Sequence, residues 1–294
     1  MAARSDRNSV KLRKATPSSV KVKAAPAMQL PPPPPPKPKT MEERRVSAEN
    51  RLAKTDEGFI KGYLQRLDMS WIYHDAALEG TVYTKEELAA ALSSNAALPA
   101  PVDGESTLQP ICDEIRRHRA AINFVREMAV KRKQPITVDT IRQLYLILHP
   151  EEGDLKSVKY RKDVPQHRLY FHEYAAPDRI TQKVRAIVDW TNDPETKKTR
   201  SPIRLAARAH YDLVRVFPFA TDSGKVARLF MNILILRAGY PPAIIHSADR
   251  QRYYDGLKGS PIAINQMVTE SIDNALSSVE KMLDEHDTRT RSFV

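Results

Sequence analysis

The stretch Ala206–Pro242, AARAHYDLVRVFPFATDSGKVARLFMNILILRAGYPP, decides how this chain is read. Its first part places His210, Leu213 and Phe217 on one apolar face at helical spacing. A second helix is predicted over Gly224–Ala238, so the two are joined by a short turn that ends in Ser223-Gly224-Lys225. Backbone N–H groups point out of a helix start, and the aligned peptide dipoles favour negative charge there. Lys225 adds a cation, and Arg228 lies one turn along the same face. The pattern therefore predicts an anion site at the start of the second helix.

Working outward, 294 residues suffice for one or two domains with a real core. The net charge of +11 is misleading about partners. Residues 1–40 hold nine Lys/Arg against Asp6 alone, a net +8, so the other 254 residues carry only +3. Such a folded part lacks the clustered basic footprint of a nucleic-acid surface. Cys112 is the only cysteine, which excludes an intramolecular disulfide and suggests a reducing, cytoplasmic setting. An organellar transit peptide is the second reading of the acid-poor start, against which the six following prolines weigh. The apolar run Leu229–Ala238 is broken by Asn232 and Arg237, so no membrane span is expected.

Residues 1–45 are basic and Pro-rich, and are expected to stay disordered because they can bury too little apolar surface. Pro32-x-x-Pro35-x-Lys37 has the form of an SH3 ligand, although a stiff spacer is the plainer reading of Pro31–Pro36, since such short patterns arise freely in Pro/Lys tails. From Met41 the pattern turns helical. Helices are predicted through Phe59–Ala76, from the Thr84/Glu87 capping box to Leu92, over Leu108–Lys131, Thr137–Leu148, Pro177–Thr191, Pro202–Val216 and Pro261–Leu283. The stretch 157–172 breaks this trend and reads as a short hairpin. The fold class is mostly α with one β-hairpin. The divisions are a tail at 1–45, an N-terminal helical region at 46–130 and a core at 131–288.

The residues Phe217-Pro218-Phe219-x-Thr221-Asp222-Ser223-Gly224-Lys225-x-x-Arg228 resemble the Fic (Fido) signature His-Pro-Phe-x-Asp/Glu-Gly-Asn-Gly-Arg-x-x-Arg. The likeness extends to Ser157, Tyr160, Arg161 and Val164 of the family's flap, to 184–192, to Gly239-Tyr240-Pro241-Pro242, and to Arg250-x-x-Tyr253-Tyr254. It implies a helical bundle with a short hairpin flap that docks a protein target, here through Val164, Leu169 and Phe171. It also implies ATP or another nucleotide as ligand, near Ser223, Gly224, Lys225, Arg228, Tyr253 and Tyr254. Upstream, Asp75-Ala-Ala-Leu-Glu79-Gly80 resembles the inhibitory motif Ser/Thr-x-x-x-Glu-Gly/Asn of autoinhibited members. By that resemblance Glu79 pairs with Arg228 and blocks the seat of the γ-phosphate. A capping or surface Glu is the plainer reading.

The departures bear on chemistry. AMP transfer needs a base for the target hydroxyl and a cation on the phosphates. Phe217 stands where the family has its catalytic His and has no lone pair, a loss worth about 10² to 10⁴ in rate. Thr221 replaces the metal-binding acid, which leaves Mg²⁺ without its carboxylate ligand. Asp222 reads as a turn or N-cap residue, with metal ligation as the alternative. His210 reads as a core histidine. The expectation is therefore a catalytically impaired, adenylyltransferase-like pseudoenzyme that keeps an anion or nucleotide site under autoinhibition. The rivals are an active nucleotidyltransferase with a non-standard base, and an adaptor acting through its Pro-rich basic tail.

Overall fold

The computed structural model describes residues 38–93, 108–165 and 173–292, and Lys39–Val294 forms one compact unit. Its α-helices, in chain order, are α1 (Met41–Leu52), α2 (Glu57–Glu79), α3 (Lys85–Leu92), α4 (Leu108–Val130), α5 (Val138–Leu148), α6 (Ile180–Asn192), α7 (Pro194–Thr199), α8 (Pro202–Val216), α9 (Ser223–Arg237), α10 (Arg250–Lys258) and α11 (Pro261–Ser292). Among the described residues there is no strand, and no helix is long and apolar enough to cross a membrane.

Helix α9 is the axis of the bundle. It is buried from Ser223 through Ile235 and packs against α8, α4, α5 and α2. A helix covered on all sides has little use for an amphipathic stripe. That is why its sequence is apolar almost throughout, with Ser223, Lys225, Arg228 and Asn232 as buried polar exceptions. Asn232 is satisfied by the chain after α9: it accepts from Ala243 N at 2.8 Å and donates to Ala243 O at 3.2 Å. Truncating a ring such as Phe230 in this axis would cost about 3–5 kcal/mol.

Two sequence readings change. Met41–Arg45, assigned to the tail, belong to α1, which starts on a Thr40/Glu43 capping box. Arg44 then bonds Glu280 at 2.8 Å and Asp273 on α11, and Arg51 reaches Asp284 and Asp287 at 2.8 and 2.7 Å. These partners lie more than 220 positions away, so a local composition argument cannot see them. The described half of the expected hairpin, 157–165, is also not a strand. Its polar groups turn to the core instead, since Arg161 N donates to Pro218 O at 2.9 Å. Residues 166–172, with Leu169 and Phe171, lie outside the described residues, as does Pro32–Lys37.

Candidate anion site

The turn between α8 and α9 is framed by two left-handed residues, Phe217 (φ 49°) and Asp222 (φ 51°). For a bulky side chain that conformation is costly, so the surroundings must over-determine it. Arg161 does so from the flap segment. Its Nε donates to Phe217 O at 2.6 Å, and its Nη2 donates to Val216 O at 3.1 Å and to Ala175 O. The Phe217 ring is buried against Tyr174, 4.9 Å between centroids. Phe219 stacks on Tyr145 at 4.1 Å, and Tyr145 on His149 at 4.5 Å. The Ser223 hydroxyl closes the turn on itself, accepting from Phe219 N at 2.8 Å and donating to Phe219 O at 2.9 Å. Only the backbone of Ser223 and Gly224 is therefore left to offer an anion.

The cations of the site are engaged by the protein's own carboxylates. Arg228 Nη2 donates to Glu79 Oε1 at 2.8 Å, and its Nε donates to Asp75 Oδ1. Asp75 also lies 3.0 Å from His118 Nε2. Burial alone would raise the Asp75 carboxyl, but Arg228 and His118 hold it down at about 2. Lys225 Nζ is 2.9 Å from Asp222 Oδ1 and 3.9 Å from Glu114. The other Asp222 oxygen lies 2.8 Å from His149 Nε2, and His149 Nδ1 lies 2.8 Å from Glu151. Burial opposes charge on His149, yet the bonds to Asp222 and Glu151 raise its pKa above the ordinary imidazole value. The same partners hold the Asp222 carboxyl far below its ordinary range despite burial.

Asp222 thus sits at the N-cap position of α9 without a side-chain cap bond. Expected to cap the turn or ligate a metal, it instead bridges two cations, because its left-handed backbone aims the carboxylate away from the helix N–H groups. Thr221 is exposed, its Oγ1 3.4 Å from His149 Nε2. Tyr253 and Tyr254 are interior residues: one hydroxyl lies 3.0 Å from His210 Nε2, the other donates to Leu78 O beside Glu79. His210 is buried and its pKa is pushed down to about 3 by desolvation, which leaves it neutral and inside the core. Val164 is exposed.

The sequence reading found Glu79, Lys225 and Arg228, but missed the work of Asp75, His118 and His149. Asp75 was findable: at i, i+4 from Glu79 it must share that face of α2. His118 and His149 come from other helices and leave no local signal.

With this geometry in hand, comparison with known proteins is direct. Residues 135–235 match the Fic/DOC family. The chain is 32% identical over 188 residues to protein adenylyltransferase Fic of Nematostella vectensis, covering 63% of this chain and 42% of that protein. It is 30% identical over 190 residues to protein adenylyltransferase fic-1 of Caenorhabditis elegans, covering 64% and 35%. The chain therefore spans less than half the length of these curated relatives. Among solved structures, a Fic domain containing signaling protein from Bacteroides thetaiotaomicron shares the fold with a TM-score of 0.62 at 22% identity, over 83% of this chain and 95% of that one. Fic-1 from C. elegans does so at 0.64 and 23%, over 82% and 70%.

Proposed function

We propose that this chain, whose residues 135–235 match the Fic/DOC family, is a catalytically impaired relative of the protein adenylyltransferases whose nucleotide site is held shut by its own carboxylates. The observation that carries the reading is Arg228 bound by both Asp75 and Glu79. A carboxylate fits where a phosphate would sit because Arg offers either anion the same planar fork of donors. Phe217 supports the impairment: a buried phenyl ring stands where the resemblance puts the base.

His149 reaches the turn at Thr221 and Asp222, and it favours no return to activity. Both its nitrogens face carboxylates, which favours the protonated form, and a protonated imidazole cannot accept a proton from a hydroxyl. Nor do the residues fit the Mg²⁺ that the family implies. Thr221 offers a neutral hydroxyl, and both Asp222 oxygens are already engaged by Lys225 and His149. What this chain's residues can do is receive an anion at the α9 N-terminus once Glu79 leaves Arg228. A protein segment docked at the flap, the ATP ligand and a cytoplasmic setting belong to this same proposal.

Calorimetric titration of ATP into wild type and Glu79→Gly, with and without Mg²⁺, tests the reading. Binding that appears or tightens in Glu79→Gly is expected, with no transfer from α-labelled ATP. Robust labelling of protein by the wild type would overturn it.

A further inference from the structure

The flap segment leads away from the signature turn into a second site with a charge of its own. A cleft of about 850 Å³ opens between the start of α5, residues 156–162 and the start of α6. Arg142, Lys156, Lys159, Lys162 and Arg185 line it against a single acid, Asp139. Arg142 is already used: its Nη1 bonds Asp139 at 3.2 Å and its Nη2 donates to Val158 O at 2.8 Å. That leaves Lys156, Lys159, Lys162 and Arg185 exposed, and none of them forms an ion pair with a described residue. Four like charges around one concavity repel one another and raise the local concentration of an anionic partner. This stands out in a folded part whose overall charge is nearly balanced.

We propose that this cleft docks an acidic peptide segment of a protein partner. Three observations select that occupant. Lys159 and Lys162 are exposed on one short segment and Arg185 of α6 lines the same cleft, so the carboxylates of one extended chain can meet all three. The one aromatic ring among the described residues that line the cleft, Tyr160, is turned inward at 5.7 Å from Phe219, so the described lining offers no exposed platform on which a nucleic-acid base could stack. The charges also line a cleft rather than a flat face, which a membrane surface cannot enter. Arg161, within the same segment, donates to Phe217 O at 2.6 Å. A hydroxyl-bearing chain with acidic residues to one side would thereby lie next to the turn. Only that last placement rests on the function proposed above; the cleft's preference for an acidic chain does not.

The test needs no nucleotide, so its failure is separable from failure of the adenylyltransferase-like reading. Fluorescence anisotropy on the full chain would follow a fluorescein-labelled peptide of alternating Glu and Ser, with a Lys-for-Glu peptide, oligo(dT) and phosphatidylserine vesicles as comparison ligands. The cleft variant is Lys159→Glu/Lys162→Glu/Arg185→Glu. A charge-matched control, Lys54→Glu/Lys61→Glu/Lys133→Glu, accounts for the basic tail and overall charge. We expect the cleft variant to weaken the acidic peptide tenfold or more and the control less than twofold. The milder Lys159→Gln/Lys162→Gln/Arg185→Gln should fall between wild type and the cleft variant. Equal loss in cleft and control variants, no binding to wild type, or a cleft-dependent preference for oligo(dT) or vesicles would overturn the proposal.

Discussion

Replacing Asp75 by Asn separates the two carboxylates on Arg228. The substitution keeps the side-chain shape and one oxygen acceptor but removes the charge facing both Arg228 and His118. Breaking a fully buried ion pair costs about 3–5 kcal/mol, because a buried charge is left behind. Here Glu79 stays on Arg228 at 2.8 Å, which places the cost near the lower end, about 3 kcal/mol. Glu79 is partly exposed and ends α2, so Glu79→Gln should cost only about 1 kcal/mol. The double variant strands Arg228 in the core, so its cost should exceed the sum of the two by about 1 kcal/mol or more. Equilibrium urea unfolding at neutral pH measures all three. The pH dependence supplies a second arm. The Asp75 carboxyl is held at about 2 in the folded protein, below its ordinary 3.8, so its contribution is fully present above about pH 4 and is lost as pH falls toward 2. A shift of that size corresponds to about 2 kcal/mol. The gap between wild type and Asp75→Asn should narrow by about that much as pH falls from 4 through 2. Asp75→Asn costing no more than Glu79→Gln, or strict additivity in the double variant, would refute the assignment of Asp75 as the deeper partner.

Three further outcomes are expected. Glu79→Gly should tighten ATP binding severalfold in calorimetry, and adding Arg228→Ala should erase the gain; unchanged affinity would show that Glu79 does not guard the site. Phe217→His alone should stay inactive with α-labelled ATP, whereas adding Thr221→Asp, Asp222→Gly, Ser223→Asn and Lys225→Arg should restore labelling in a strongly non-additive way. Strong labelling by Phe217→His alone would mean that the other departures are tolerated. In NMR titrations His149 should hold its proton above the ordinary imidazole range, and Asp222→Asn should bring that titration back down. By the sign of this shift, the His149 contribution to stability is present at low pH and lost as pH rises through the folded-state pKa. A His149 titration that ignores Asp222→Asn would dissolve the proposed bridge.

Much of this fold is written in local patterns. The capping box at Thr84/Glu87 and the periodicity of α8 mark their helices unaided. Helix α10 escaped notice because a nine-residue segment rich in Arg and Tyr carries little apolar periodicity; its stability comes from Tyr253 and Tyr254 reaching into the core. The described half of the flap departs from the expected strand for a related reason. Val158 and Tyr160 look like strand residues, but Val158 is buried and Tyr160 tilts onto Phe219, so they serve the core rather than a ladder. The candidate site was legible where its residues share one helix and opaque where they meet across the fold, as His149 and Asp222 do.

The two carboxylates on Arg228 differ in a way that bears on how the site could open. Glu79 is the last residue of α2, followed by Gly80 in the left-handed conformation (φ 99°), and its side chain is partly exposed, so it can swing off Arg228 while Leu78 behind it stays buried. Asp75 lies a full turn deeper, buried beneath His118 and Arg228. Releasing a partly exposed pair costs about 1 kcal/mol, roughly fivefold in affinity, which an incoming phosphate can recover from the same guanidinium. Asp75 cannot leave at that cost and continues to neutralise Arg228 after Glu79 has gone. Where the resemblance puts a Ser or Thr, this chain therefore carries a second, fixed anion. Its nucleotide affinity should be limited by Asp75 more than by Glu79, and Asp75→Ser combined with Glu79→Gly should bind ATP more tightly than Glu79→Gly alone.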